Sequence, residues 1–174
     1  MKRAVAMAPL ALLVLIVIAG AFILLRGEHP ETISAGDIGR PAPTFALTRL
    51  GGGDLVTSDE FAGRPHLINF YASWCTPCRA EHPQLMALKQ RGVTILGVAY
   101  KDRPQASQAV LDELGNPFSA VALDPDGRFA LEMGVAGAVP ETFVVDAHGR
   151  IRDVYRGPLT EDVIQQDILP ALSR

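Results

Sequence analysis

Cysteine is scarce in this chain: two in 174 residues, at positions 75 and 78. That rules out a disulfide-stapled scaffold, and with no second pair it leaves too few ligands for a structural zinc site. Arg79, not histidine, follows the second cysteine, so the haem-attachment pattern is missing. With no further cysteine, a separate peroxidatic thiol is missing too. A positive excess is absent. Net charge is −3, and once Lys2, Arg3 and Arg26 are assigned to the N-terminal segment, 13 basic residues face 19 acidic ones, or −6. Such a surface argues against nucleic acid and against adhesion to anionic lipid headgroups. Gly51-Gly52-Gly53 is not followed by a helix start with Lys-Ser/Thr, so it reads as a turn, not a phosphate cradle. Asp124-Pro125-Asp126-Gly127 lacks the ligand spacing and closing Glu of a calcium loop. There is no internal repeat and no low-complexity segment.

What is present centres on Asn69-Phe70-Tyr71-Ala72-Ser73-Trp74-Cys75-Thr76-Pro77-Cys78-Arg79-Ala80-Glu81. Leu67 to Tyr71 is apolar and β-prone apart from Asn69, as an interior strand is. Helix formers begin at Thr76, with Pro77 in the first turn, where its missing N–H costs nothing. Cys75 therefore belongs at a helix N-terminus, where free N–H groups and the helix dipole stabilise a thiolate. Cys78, about a turn further in, is close enough for a disulfide. The spacing predicts an exposed, low-pKa attacker at Cys75 and a shielded resolver at Cys78, the division of labour of thiol–disulfide exchange. A purely structural bridge would close almost no loop here. A copper site of Cys75, Cys78 and His82, four residues further along the same helical face, stays open.

Met1-Lys2-Arg3 precedes an apolar run from Ala4 to Leu25 that ends at Arg26. At ~1.5 Å per residue, about 22 residues give ~33 Å of helix, enough to cross a bilayer core of roughly 30 Å. Ala19-Gly20-Ala21 resembles a signal-peptidase site, but the run continues beyond it, and its length favours an uncleaved signal-anchor. Cations before the span and Glu28, Glu31 and Asp37 after it place the N-terminus in the cytoplasm and the remainder outside. The expected organisation is a transmembrane anchor over 1–26, a polar flexible tether over 27–38 and one domain over 39–174.

Within that domain, Phe45–Arg49 and Asp54–Thr57 read as a hairpin across the three glycines, followed by a short helix at Asp59–Ala62. Strands are expected at His66–Tyr71, Val93–Tyr100 and Ser119–Leu123. Helices are expected from Thr76 to about Gln90, kinked at Pro83, and over Pro104–Leu114, an amphipathic helix with Ala109, Val110 and Leu114 apolar. A short helix at Arg128–Met133 follows. Phe143–Val145 and Ile151–Tyr155 form a hairpin across Ala147-His148-Gly149, and Thr160–Leu172 is a final helix. The alternation predicts an α/β fold with a mixed central sheet.

The motifs Cys75-Thr76-Pro77-Cys78-Arg79-Ala80-Glu81-His82-Pro83, Gly97-Val98-Ala99-Tyr100-Lys101-Asp102, Gly115-Asn116-Pro117-Phe118 and Pro140-Glu141-Thr142-Phe143 stand in order behind an apolar N-terminus. In this the chain resembles the thioredoxin superfamily and, within it, the membrane-anchored cytochrome c maturation thioredoxins, the DsbE (CcmG) family. The resemblance covers about Gly39 to the C-terminus. It implies a thioredoxin-like three-layer α/β/α domain with an N-terminal hairpin, preceded by one transmembrane helix.

The resemblance also implies roles. Cys75 is the nucleophile and Cys78 the resolving thiol. Pro140 matches the cis proline that faces the disulfide, and Val139 before it would pair with an incoming peptide; read from the residues alone, Pro140 is a strand-start proline. Trp74, Thr76 and Pro77 would line the substrate surface. Glu81 and Glu141 match acidic positions near the cysteines, although Glu81 also reads as a solvated helix charge. Asn69 stands where ordinary thioredoxins bury a proton-transferring Asp, so Glu81 or Glu141 would supply that function. Gly134 to Pro140 is a residue longer than the family spacing. His82 reads as a helix-surface residue, His148 lies in the hairpin turn, and His29 and His66 have no evident partners. The implied activity is that of a protein-disulfide reductase on the periplasmic face of a bacterial inner membrane. Its substrate would be the C-x-x-C-H disulfide of apocytochrome c or of a maturation thiol protein. A transmembrane thiol reductase would supply electrons, and no cofactor is needed beyond the Cys75–Cys78 disulfide. The alternatives are a general periplasmic reductant or oxidant and a copper-site assembly factor, the latter disfavoured by the C-x-x-C spacing.

Overall fold

The computed structural model describes Leu15 and residues 38–173. The chain divides into two units, Met1–Glu31 and Thr32–Arg174. The expected anchor, apart from Leu15, and the tether, apart from Ile38, lie outside the described residues. Among those described, no helix is long and apolar enough to cross a membrane.

The domain is a five-stranded mixed sheet with a small hairpin beside it. The hairpin pairs β1 (Ala46–Leu47) with β2 (Val56–Thr57) antiparallel. Gly51, Gly52 and Gly53 all have positive φ, between 86° and 94°, so they make the turn that residues with a Cβ would resist. A 3-10 turn, Ser58–Phe61, follows. The sheet consists of β3 (His66–Tyr71), β4 (Ile95–Tyr100), β5 (Ala120–Asp124), β6 (Glu141–Val145) and β7 (Ile151–Arg156), in the order β5-β4-β3-β6-β7. β3, β4 and β5 are parallel, whereas β6 runs antiparallel to β3 and β7 antiparallel to β6. β3 is central and buried along its whole length, which explains its near-continuous apolar sequence.

Strand alternation divides the core between two faces. Leu67, Tyr71, Ile95, Val121 and Val144 pack with α1 (Thr76–Gln90), α2 (Pro104–Leu114) and the C-terminal helix α4 (Glu161–Leu172, with a π turn at Ile164–Ile168). Ile68, Phe70, Leu96, Val98, Phe143 and Val145 pack under Val56, Phe61 and α3 (Arg128–Met133). Asp124 accepts from the Phe129 and Ala130 amides at 3.2 and 2.9 Å, which caps α3.

The inward face of α2 follows from helical geometry. Ser107, Val110 and Leu111 are buried and Ala109 is exposed, because a 100° step per residue sets 107, 110 and 111 on one face. Pro83 is inside α1, and the helix continues past it to Gln90.

Candidate active site

β3 delivers the chain into a tight turn, Ala72-Ser73-Trp74-Cys75, closed by the Cys75 amide donating to the Ala72 carbonyl at 3.2 Å. Cys75 is the N-cap of α1, with extended backbone (φ −90°, ψ 103°), and its sulfur accepts from the Cys78 amide at 3.1 Å. A disulfide joins Cys75 and Cys78 across a Cα–Cα distance of 5.3 Å. The Cys75 sulfur thus lies at the positive end of a 15-residue helix with one N–H already aimed at it, the setting that favours a thiolate once the bridge is reduced.

The expected contrast in exposure is not found in this oxidised form. Cys75 is 3 % and Cys78 5 % exposed. The reason is local: Trp74, Thr76 and Pro77 take the solvent-facing positions around the bridge, and the Val139 carbonyl oxygen lies 3.3 Å from the Cys75 sulfur. The Val139–Pro140 peptide is cis, and the Gly157 amide donates to the Pro140 carbonyl at 3.0 Å, which ties this segment to the end of β7. Trp74 is 59 % exposed, and its indole N–H donates to the Lys101 carbonyl at 3.4 Å. The structure therefore gathers Trp74, Cys75, Thr76, Pro77, Cys78, Val139 and Pro140 at one end of the sheet.

Beneath them lies Glu81, fully buried where a solvated helix charge was the alternative. It is three residues past Cys78 on the inward face of α1, a spacing that makes the two side chains neighbours. One carboxylate oxygen accepts from Asn69 Nδ2 at 2.9 Å and the other from the Leu159 amide at 2.8 Å. Desolvation outweighs these bonds and pushes the Glu81 pKa up to about 7. Asn69 Nδ2 also donates to Thr142 Oγ1 at 3.0 Å, while Asn69 Oδ1 is buried without a hydrogen-bond partner. Tyr155, whose pKa is raised by burial and by the nearby Asp167 and Glu81 charges, packs in the same core.

Glu141 is placed differently. Alternation along β6 puts it on the face of Phe143 and Val145, opposite the face that carries Thr142, Val144 and the Glu81 cluster. Its carboxylate is 1 % exposed, pairs with Arg156 Nε at 2.6 Å and accepts from the Ala136 amide at 3.0 Å. It thus fastens the loop that leads to Val139 and Pro140.

Two histidine readings change. His82 is buried, with Nε2 2.9 Å from the Gly115 carbonyl oxygen, because Gly115 closes α2 directly beside α1. That contact turns its ring to Gly115 and not to the cysteines. His66 is also buried, with Nδ1 3.0 Å from the Arg64 carbonyl oxygen, and burial lowers its pKa. Sequence reasoning missed Leu159, Arg156 and Asp102 as partners of the site. Only Asp102 left a signal, as the last residue of a quoted motif.

Two concavities, about 370 Å³ against β1 and α3 and about 360 Å³ beside the β6–β7 turn, include neither the redox turn nor Val139–Glu141.

Comparison with known proteins agrees with this geometry. The redoxin family model matches residues 37–168. The chain is 44% identical over 170 residues to the thiol:disulfide interchange protein HelX of Rhodobacter capsulatus, covering 95% of this chain and 96% of that one. It is 39% identical over 175 residues to the thiol:disulfide interchange protein DsbE of Escherichia coli, covering 98% and 94%. Among solved structures, a thiol:disulfide interchange protein DsbE from Chlorobium tepidum superposes with a TM-score of 0.66 at 31% identity, covering 78% of this chain and 98% of that one.

Proposed function

The chain belongs to the redoxin family and, within it, to the DsbE thiol:disulfide interchange proteins, and from that premise we propose that it reduces the C-x-x-C-H disulfide of apocytochrome c, or of a maturation thiol protein, before haem attachment. Thiol–disulfide oxidoreduction follows from the family and the cysteine pair. The observation that carries the finer reading is the Cys75 sulfur at the start of α1, held by the Cys78 amide and in contact with the Val139 carbonyl oxygen beside the exposed Trp74, Thr76 and Pro77. That arrangement suits an extended peptide, which would pair with Val139 as an added strand while its disulfide meets Cys75. Trp74, Thr76 and Pro77 would flank it.

The reaction starts from the dithiol. The Cys75 thiolate attacks one sulfur of the substrate disulfide, the substrate S–S bond breaks, and the other substrate sulfur leaves as a thiolate that takes up a proton. The Cys78 thiol, having given its proton to Glu81, attacks the Cys75 sulfur of the mixed disulfide. The second substrate sulfur leaves and is protonated, and the Cys75–Cys78 bridge carries the two-electron oxidation. A carboxyl with a pKa of about 7 next to Cys78 is matched to that proton transfer near neutral pH. Glu141 serves the step from a distance, through the loop before Pro140.

The same reading assigns residues 1–26 to a transmembrane anchor in the bacterial inner membrane, 27–38 to a tether and 39–174 to a periplasmic domain, with a transmembrane thiol reductase restoring the dithiol. A reductant tethered at the membrane stays near its electron source in an oxidising compartment. The test is a trap. The Cys78→Ser chain, reduced and mixed with a disulfide-closed C-x-x-C-H peptide, should accumulate a one-to-one Cys75 adduct, and Cys75→Ser should not. No adduct from Cys78→Ser would refute the assignment of Cys75 as attacker.

A further inference from the structure

The turn Ala72–Cys75 is held from outside by a segment of the β4–α2 connection. Asp102 accepts from the Ser73 amide at 2.6 Å and the Ser73 hydroxyl at 2.8 Å. The same carboxylate accepts from the Ser107 hydroxyl at 2.7 Å and the Arg103 amide at 2.8 Å. Ser107 is fully buried on the inward face of α2, so the carboxylate is anchored to a packed helix. Lys101, directly before it, has φ 46°, left-handed backbone that a lysine adopts only at a cost. Its own carbonyl accepts the Trp74 indole N–H, and its side chain lies over the Tyr100 ring with the ammonium 5.1 Å from the centroid. Gly127 makes room for this, because a Cβ there would come within 2.6 Å of Lys101 Cε. Two consecutive residues thus grip two consecutive residues of the redox turn, one by backbone and hydroxyl, the other by the indole.

We propose that Asp102 is a positioning residue for thiol–disulfide exchange: its carboxylate, anchored through Ser107, holds the turn at Ser73 and so aims the Cys75 sulfur and the Trp74 indole at an incoming disulfide. The inference rests on Cys75 as the attacking sulfur. An in-line attack on a disulfide needs the sulfur within a narrow approach geometry, and misplacement by about 1 Å costs on the order of a hundredfold in rate. Asparagine cannot replace the carboxylate, since its single oxygen cannot accept all four bonds and its NH₂ would face donors. Loss of a negative charge near the turn would by itself favour the Cys75 thiolate and raise the rate at low pH. Loss of position lowers the rate at every pH.

The experiment uses the reduced full-length chain in detergent with a disulfide-closed C-x-x-C-H peptide, and reads the rate of mixed-disulfide formation from pH 5 to 9 in a Cys78→Ser background. Asp102→Asn and Asp102→Ala should lower the high-pH plateau by roughly ten- to a hundredfold, and Ser73→Ala, which keeps the backbone bond, by a smaller factor in the same direction. Asp146→Asn is the control. Asp146 holds the β6–β7 turn through the His148 and Arg150 amides, at the far end of β6 from Pro140, so its loss should leave the plateau unchanged. A plateau unchanged in Asp102→Asn would overturn the proposal, as would an equal fall in Asp146→Asn. If neither Asp102 variant folds, an unaltered rate in Ser73→Ala overturns it. Failure of the attacker assignment shows separately, as no adduct from Cys78→Ser alone.

Discussion

Replacing Glu81 by Gln should remove a pH dependence of stability that can be worked out from its surroundings. In the folded chain Glu81 has no solvent exposure and a pKa of about 7, against an ordinary value of 4.5. The folded state therefore holds the proton more tightly than the unfolded one, and between these values it binds more protons. Stability falls as pH rises across that window, with no penalty below about 4.5 and the full penalty above about 7. A shift of about 2.5 units corresponds to roughly 3 kcal/mol, of which about 2.5 kcal/mol develops between pH 5 and pH 8. Gln does not ionise. Its one oxygen can keep the Leu159 amide, and its NH₂ can donate to Asn69 once that amide turns its partnerless oxygen inward. Any fixed cost of the substitution is independent of pH. The assay is urea unfolding of both oxidised proteins at half-unit steps from pH 5 to 8. Subtracting the profiles cancels His66, whose lowered pKa makes stability rise with pH. The variant should gain on the wild type by about 2.5 kcal/mol over the range. A difference that stays flat with pH would refute the raised pKa.

Further outcomes follow from packing and charge. Gly97→Ala sets a Cβ 2.6 Å from the Phe118 ring, which stacks on Tyr71 at 5.0 Å, so it should cost about 1–3 kcal/mol by urea unfolding, a range set by overpacked cores. Arg156→Met strands the buried Glu141 carboxylate and should destabilise by about 3–5 kcal/mol, while the double variant with Glu141→Gln recovers most of it. Unfolding curves in which the double variant is no better than the single one would contradict the ion pair. Trp74→Ala should raise the KM for the peptide more than it lowers kcat, since the exposed indole offers substrate-contact area next to Cys75 and carries no proton or sulfur of the reaction. Steady-state kinetics with a peptide dilution series decides this.

Much of this is legible in the sequence alone. Pro77 and the apolar run ending at Tyr71 place Cys75 at a strand-to-helix junction because both signals are local, and the structure has it as the N-cap of α1. The hairpins and the mixed sheet follow from alternation and glycine turns in the same way. What resisted is non-local. Glu81 is an ordinary helix charge until Leu159, 78 residues later, brings its amide to it. Glu141 sits beside Pro140 in sequence, yet strand alternation turns it to the other face of the sheet. The buried state of Cys75 depends on Val139 crossing over it, and no spacing along the chain reports that. His82 shares the helical face of Cys78, but its partner, the Gly115 carbonyl, lies 33 residues further on and no local pattern reports that contact.

The reduction potential of the Cys75–Cys78 couple tests the central claim most directly. Measured on the full-length chain by equilibration with glutathione or a reference dithiol, it should lie well below about −180 mV, the value of protein disulfide isomerase, as a dedicated reductant requires. A value near about −120 mV, that of a strong periplasmic oxidant, would mean that the protein introduces disulfides, and the reductive reading would fall.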